Sequence, residues 1–264
     1  MPHEGGRNSQ MPISRFFTSS GMNHDSHSSL GEVSLRFRVD RVEEDEYGYG
    51  YKMLHLSYRG SVFGKLIVKP NGYYSAFVST HYRLVPNEYV EELLKINGLR
   101  YNVYYEQWGE RALFTVKLSD DFEVAVSNSI DASLALKAYV TRVNGYNVFI
   151  PVAYRKHTRN IKPEELVELL KELRADEYKA ILARLGSEDF DAKLTEALEA
   201  VLPKKDLALF KYYLATSGKV SKLEAYSRLV RLVMSSASVS IVTKIERLRA
   251  INAVFAISEL IREA

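Results

Sequence analysis

The spacing of apolar residues changes once along this chain, near residue 160, and that change limits the folds open to it. Before it, apolar and polar residues alternate. In EVSLRFRV, Val33, Leu35, Phe37 and Val39 fall on one side and Ser34, Arg36 and Arg38 on the other, the two-residue period of a strand. Beyond it, Leu166, Leu169, Leu170 and Leu173 recur at helical spacing. A run of strands followed by a run of helices predicts an α+β fold: an antiparallel β-rich part over 31–160 with one short helix, then an α-helical part over 161–264. Residues 1–30 are rich in Gly, Ser, Asn and His. Such a segment buries too little apolar surface to offset its ordering entropy, and the expectation is a flexible N-terminal arm.

Turn chemistry divides the β-rich part. YKMLHLSY reads as a strand. Pro70-Asn71-Gly72 separates two β-rich runs, and Asn-Gly supplies the positive φ angles of a tight hairpin turn. A short helix is expected over 88–96, capped by Asn87 and stopped at Gly98. Strands resume with YNVYYEQW, RALFTVKL and FEVAVSN, with Gly109 in the turn after Trp108. Pro163-Glu164-Glu165 marks a helix start, since proline suits the first turn and acids favour the positive end of the helix dipole. Further helices are expected over 191–202, 206–216 and 243–261, and from Ser221, whose pairing with Glu224 forms a capping box.

The segment SNSIDASLALKAYVTRVNGYNVFIPVAYRKHT (127–158) carries the main functional signal. With Asn144-Gly145 as a two-residue turn, Val143 pairs with Tyr146 and a hairpin follows. Leu136, Ala138 and Val140 then share a face with Phe149, Pro151 and Ala153, and Pro151 marks an edge strand. The same residues also fit a helix over 132–143 capped by Asp131; the β-branched run and the Asn-Gly step favour the hairpin. From Lys137 to Lys162 the chain holds Lys137, Arg142, Arg155, Lys156, Arg159 and Lys162 with no acid among them, together with His157 and the interleaved Tyr139, Tyr146 and Tyr154. Cations neutralise phosphates and aromatic faces stack unpaired bases. The competing expectation is a solvated rim of cations around tyrosines packed in a sheet. A second basic cluster, Lys204, Lys205, Lys211, Lys219, Lys222, Arg228 and Arg231, falls in a segment that also fits a helix-turn-helix with its turn at Ser217-Gly218.

Other chemistry is limited by what the chain lacks. It has no cysteine among its 264 residues, which excludes disulfides, thiolate metal sites and cysteine nucleophiles. The net charge of +3 permits a nucleic-acid partner without requiring one. No apolar run is long enough to span a membrane, and residues 1–30 lack the apolar core of a secretory leader, so a cytoplasmic location is expected. The glycines of YRGSVFGKL do not make a phosphate loop: the spacing is one residue short, and Lys65 precedes Leu66 rather than Ser or Thr. Asp120, Asp121 and Glu123 are candidates for a divalent-metal phosphoesterase, although Asp-Asp between two strands also suits a turn. No histidine spacing matches a metal site, and the expectation is no resident cofactor or metal.

Three blocks in order resemble one family. Val78, Ser79, Tyr82, Arg83, Val85 and Asn87 lie in the first. Asn128, Ser129, Asp131, Ala132 and Ser133 form the second, with Ala132 where the family usually has Gly. RKHT (155–158) is the third. Over about 60–170 these are similar to the phage- and plasmid-related proteins with domain of unknown function nine-three-two. The resemblance implies a mobile-element setting and no defined activity. The resulting expectation is a nucleic-acid-binding protein, with single-stranded DNA the favoured partner. The alternatives are a structural or homo-oligomeric interaction protein of a virus or plasmid, and the phosphoesterase.

Overall fold

The computed structural model describes residues 41–106, 110–131 and 133–263. The strand expected over 32–39, the arm 1–30, the turn at 108–109 and Ala132 lie outside the described residues. The α+β class holds, with antiparallel sheets followed by helices. The described residues form two compact units that divide between Tyr82 and Arg83.

The first unit contains a four-stranded antiparallel sheet in sequential order: β1 (Arg41–Tyr47), β2 (Tyr51–Tyr58), β3 (Ser61–Val68) and β4 (Tyr74–Val78). Leu54, Leu56, Leu66 and Val68 form its core cluster. The glycines once weighed as a phosphate loop have backbone roles. Arg59 and Gly60 both have positive φ, 51° and 76°, in the two-residue turn between β2 and β3. Gly64 lies under the Phe77 ring, where an added Cβ would sit 2.2 Å from a ring carbon. The Pro70-Asn71-Gly72 hairpin forms, but its connection spans five residues. The Gly72 N–H donates to the Lys69 carbonyl at 2.9 Å, and only Gly72 of the three has positive φ.

The second unit starts with α1 (Asn87–Ile96). Asn87 does not cap it: Pro86 occupies the N-cap position, and the Asn87 side chain is buried and bonded elsewhere. Gly98, at φ 68°, stops the helix as expected. The Gly98 N–H donates to the Lys95 carbonyl and the Leu99 N–H to the Leu94 carbonyl, the paired bonds of a Schellman end. A five-stranded antiparallel sheet follows, again in sequential order: β5 (Arg100–Tyr105), β6 (Arg111–Ser119), β7 (Phe122–Ser129), β8 (Ala135–Val143) and β9 (Tyr146–Lys156). The hairpin reading of 132–143 is correct. Asn144 and Gly145 have φ of 49° and 83°, and Val143 pairs with Tyr146. The register shifts twice beyond the turn, so Tyr139 faces Pro151 and Lys137 faces Tyr154. Successive residues of β7 and β8 are buried, so these strands are covered on both faces.

The helices are α2 (Pro163–Glu172), α3 (Lys179–Ser187, after a short 3₁₀ turn), α4 (Ala192–Glu199), α5 (Lys204–Ser217), α6 (Lys222–Met234), α7 (Ile241–Val254) and α8 (Ile257–Glu263). The Ser221–Glu224 capping box is present. The single long helix expected over 243–261 is two, broken where Ala256 takes φ 52°. None of the described helices is long and apolar enough to cross a membrane. The boundary expected near residue 160 falls inside the second unit, because helix and sheet residues share one core. Phe114, Val126 and Phe149 belong to the same buried cluster as Leu170, Leu229 and Leu248.

Three helix side chains finish the open edge of β9. Ser227 Oγ accepts from the Asn147 N–H at 2.8 Å, and Tyr226 Oη accepts from the Phe149 N–H at 3.0 Å. Asn252 Nδ2 donates to the Phe149 carbonyl at 2.6 Å, and Tyr226 Oη donates to Asn252 Oδ1 at 2.6 Å. Two residues further along the same edge stands Pro151, which has no N–H to satisfy. An unpaired sheet edge is a template for stray pairing; here α6 and α7 cover it with matched polar groups.

Candidate nucleic-acid interface

The expected interface residues do not form one surface. Tyr146 opens β9 and Tyr154 comes eight residues later, roughly 26 Å away at about 3.3 Å per residue. At the turn end, the exposed Tyr146 lies near Arg142, whose guanidinium is 3.7 Å from Glu123. Tyr139 is only 2% exposed. Its ring stacks on Phe149 with centroids 4.2 Å apart, so it belongs to the core and cannot receive a base. Lys162 pairs with Glu165 at 2.8 Å. Arg159 is exposed beyond the end of β9.

His157 is a buried structural residue. Its Nε2 lies 2.9 Å from Asn128 Oδ1. Asn128 Nδ2 donates to Asn87 Oδ1 at 2.7 Å and to the Val85 carbonyl at 2.9 Å. Because the Asn128 amide nitrogen is the donor in those bonds, its oxygen is the acceptor, and His157 donates from Nε2. Burial pushes the His157 pKa down to about 4. Asn87, Asn128 and His157, one from each block of the resemblance, therefore meet in a single buried hydrogen-bond network.

The far end of the β8–β9 hairpin does bring cations and an accessible ring together. The Lys137 ammonium lies 5.7 Å from the centroid of the Tyr154 ring, which is 48% exposed. Arg249, projecting from α7, donates to Tyr139 Oη at 3.5 Å. Burial, and next the charge of Arg249, pull the Lys137 ammonium below its ordinary pKa; the field of Glu246 acts the other way. Among the described residues neither Lys137 nor Arg249 makes an ion pair. Lys156, two residues past Tyr154 and on its face, is exposed; Arg155 is exposed on the opposite face, paired with Leu136, and its charge acts on Glu165. Neighbouring cations disfavour each other's charge, and here Glu246 offsets that only in part. Arg249 was missed in the sequence because it lies more than a hundred residues from Lys137, on a helix with no other signal of function.

Three of the seven cations of the second basic cluster are neutralised by carboxylates. Lys211 pairs with Glu199, Lys219 with Asp189 at 2.8 Å, and Lys222 with Glu188. Arg228 lies 5.3 Å from the Tyr213 ring centroid. Lys204, Lys205 and Arg231 are exposed. The helix-turn-helix expectation fails on burial. Leu223, Ala225, Tyr226, Ser227, Leu229, Val230 and Val233 of α6 are buried, and a helix packed into a core on most sides cannot enter a major groove.

Two acidic arrangements also have structural explanations. Asp120 pairs with Lys117 at 2.9 Å, and Glu123 with Arg142. Among the described residues no three His, Asp or Glu side chains are grouped to hold a metal. Separately, Arg111 donates to Asp131 Oδ1 and Oδ2 at 3.0 and 2.9 Å and to Glu106 Oε2 at 3.0 Å. The other Glu106 oxygen accepts from the Ile241 N–H at the start of α7. This bridge lines a cavity of about 400 Å³, where, among the described residues, Arg111 is the one cation beside Glu106, Glu110 and Asp131. No family model matches the chain, and neither a curated protein nor a solved structure is significantly similar to it.

Proposed function

We propose that this protein binds single-stranded nucleic acid, with DNA the favoured form, through the Lys137–Tyr154–Arg249 corner. The supporting observation is the pair Lys137 and Arg249, two cations with no ion-pair partner among the described residues, beside an exposed tyrosine ring. A backbone phosphate placed between the ammonium and the guanidinium gains two charge-assisted contacts. It also offsets the repulsion from Arg249, which adds to burial in holding the Lys137 pKa down. The exposed Tyr154 ring offers a surface to an unpaired base, and Lys156, on the same face of β9, carries the positive charge onward. The three-block resemblance supports a mobile-element setting for this activity.

Affinity for an oligodeoxythymidylate, followed by fluorescence anisotropy, tests the reading. Tyr154→Ala removes a stacking surface worth about 1–3 kcal/mol, so affinity falls roughly five- to hundred-fold. An unchanged affinity in that variant would remove Tyr154 from the interface.

A further inference from the structure

We propose that the cleft between the β6–β7 turn and the end of α2 binds a phosphorylated small molecule of nucleotide size, at a site separate from the Tyr154 corner. The cleft has a volume of about 720 Å³ and is lined by Arg100, Lys117, Lys171 and Arg174 with one carboxylate, Asp120. The four cations come from three parts of the chain: the start of β5, the end of β6, and the last turn of α2 with the second residue beyond it. All four are exposed. They come from different elements, so a flexible anionic group entering the cleft meets positive charge from more than one of them.

The floor has a different chemistry. Leu118, Phe122, Leu170 and Leu173 line it; Phe122, Leu170 and Leu173 are buried, and Leu118 is half-buried. An apolar floor beneath a ring of cations suits a ligand with an apolar or flat ring at one end and phosphates at the other, and the volume lies in the range of small-molecule sites. A nucleoside polyphosphate has that composition. Local pairing leaves an excess of positive charge. Asp120 takes a hydrogen bond from Lys117, which with the Lys117 charge holds its carboxyl below the ordinary value, and Arg100 adds to the same field. Lys171 has a partner in Glu168 at 3.1 Å, which does not line the cleft. Arg174 donates from Nη1 to the Lys171 and Leu173 carbonyls at 2.6 and 2.9 Å, which anchors its guanidinium over the end of α2.

The probe is a ribose-labelled fluorescent adenosine triphosphate titrated with the full chain. The expected result is saturable binding that unlabelled adenosine triphosphate reverses. Arg100→Ala with Lys171→Ala should weaken it at least ten-fold, and both side chains are exposed, so circular dichroism should show an unchanged fold. Asp120→Asn should tighten it several-fold by releasing Lys117, an effect a purely structural role for Asp120 does not produce. Lys137→Met with Arg249→Ala should leave it unaltered, which separates this site from the nucleic-acid corner. The proposal is overturned by any of four results: no saturable binding below about 1 mM, equal affinity in the double cleft variant, loss of binding in the Lys137 and Arg249 variant, or inorganic triphosphate displacing the probe as well as adenosine triphosphate does.

Discussion

Lys137 and His157 are neighbours of the same hairpin end with opposite roles. Burying a lysine beside an arginine opposes folding. Lys137→Met keeps the aliphatic stem and removes the charge, so stability in urea should hold or rise while oligonucleotide affinity falls. A large loss of stability would make Lys137 a structural residue. His157 is neutral in the fold, with a pKa near 4 against an ordinary value of 6.5. Between those values the unfolded chain binds the proton and the folded chain does not. The contribution is therefore complete above about pH 6.5 and is lost as pH falls towards 4, by about 3 kcal/mol over the window. Urea unfolding measured from pH 7 to pH 4 should show that decline, with a much shallower slope in His157→Gln. Equal slopes would show that His157 titrates normally in the native state.

The elements show which parts of the fold were legible in the sequence. Local chemistry carried well. Asn144-Gly145 fixed the hairpin because that pair readily takes the two positive φ angles of a tight two-residue turn, and Ser221 with Glu224 located the start of α6. Gly145→Ala should cost about 1–2 kcal/mol in the same urea assay, since the turn keeps φ at 83° and a Cβ resists that geometry. What depended on distant partners did not carry. The two register shifts in β8–β9 moved Lys137 opposite Tyr154, and no local signal announced them. Asn87 resembled a cap because caps are usually Asn, Asp or Ser, yet its side chain is committed to Asn128, 41 residues away. Tyr139 resembled a stacking platform, yet Phe149 and the register bury it. The edge of β9 gives an element-scale test. Tyr226→Phe leaves the Phe149 N–H and Asn252 Oδ1 without their partner, and the loss of stability should be about 1–3 kcal/mol. A value near zero would mean the edge bonds are not needed to hold α6 on the sheet.

At the scale of the whole molecule, a net charge of +3 is too small to define a polyanion surface by itself. Specificity for an anion comes from placement. Three of the seven cations of the second cluster are matched by carboxylates, whereas Lys137 and Arg249, from β8 and α7, make no ion pair among the described residues and feel Glu246 only through its field. The sequence showed an acid-free stretch from Lys137 to Lys162 but could not show which of its cations share a corner, nor that Arg249, on a late helix, lies beside Lys137 and Tyr139. The most direct test is anisotropy of a single-stranded oligodeoxythymidylate at two salt concentrations, comparing the native chain with Lys137→Met/Tyr154→Ala/Arg249→Ala. The account predicts that the native chain binds at low salt and weakens steeply as salt rises. It predicts that the triple variant loses most of the affinity, with its logarithmic salt slope shallower by about 0.7 for each phosphate contact removed. No binding by the native chain at low salt, or equal affinity and slope in the variant, would contradict it.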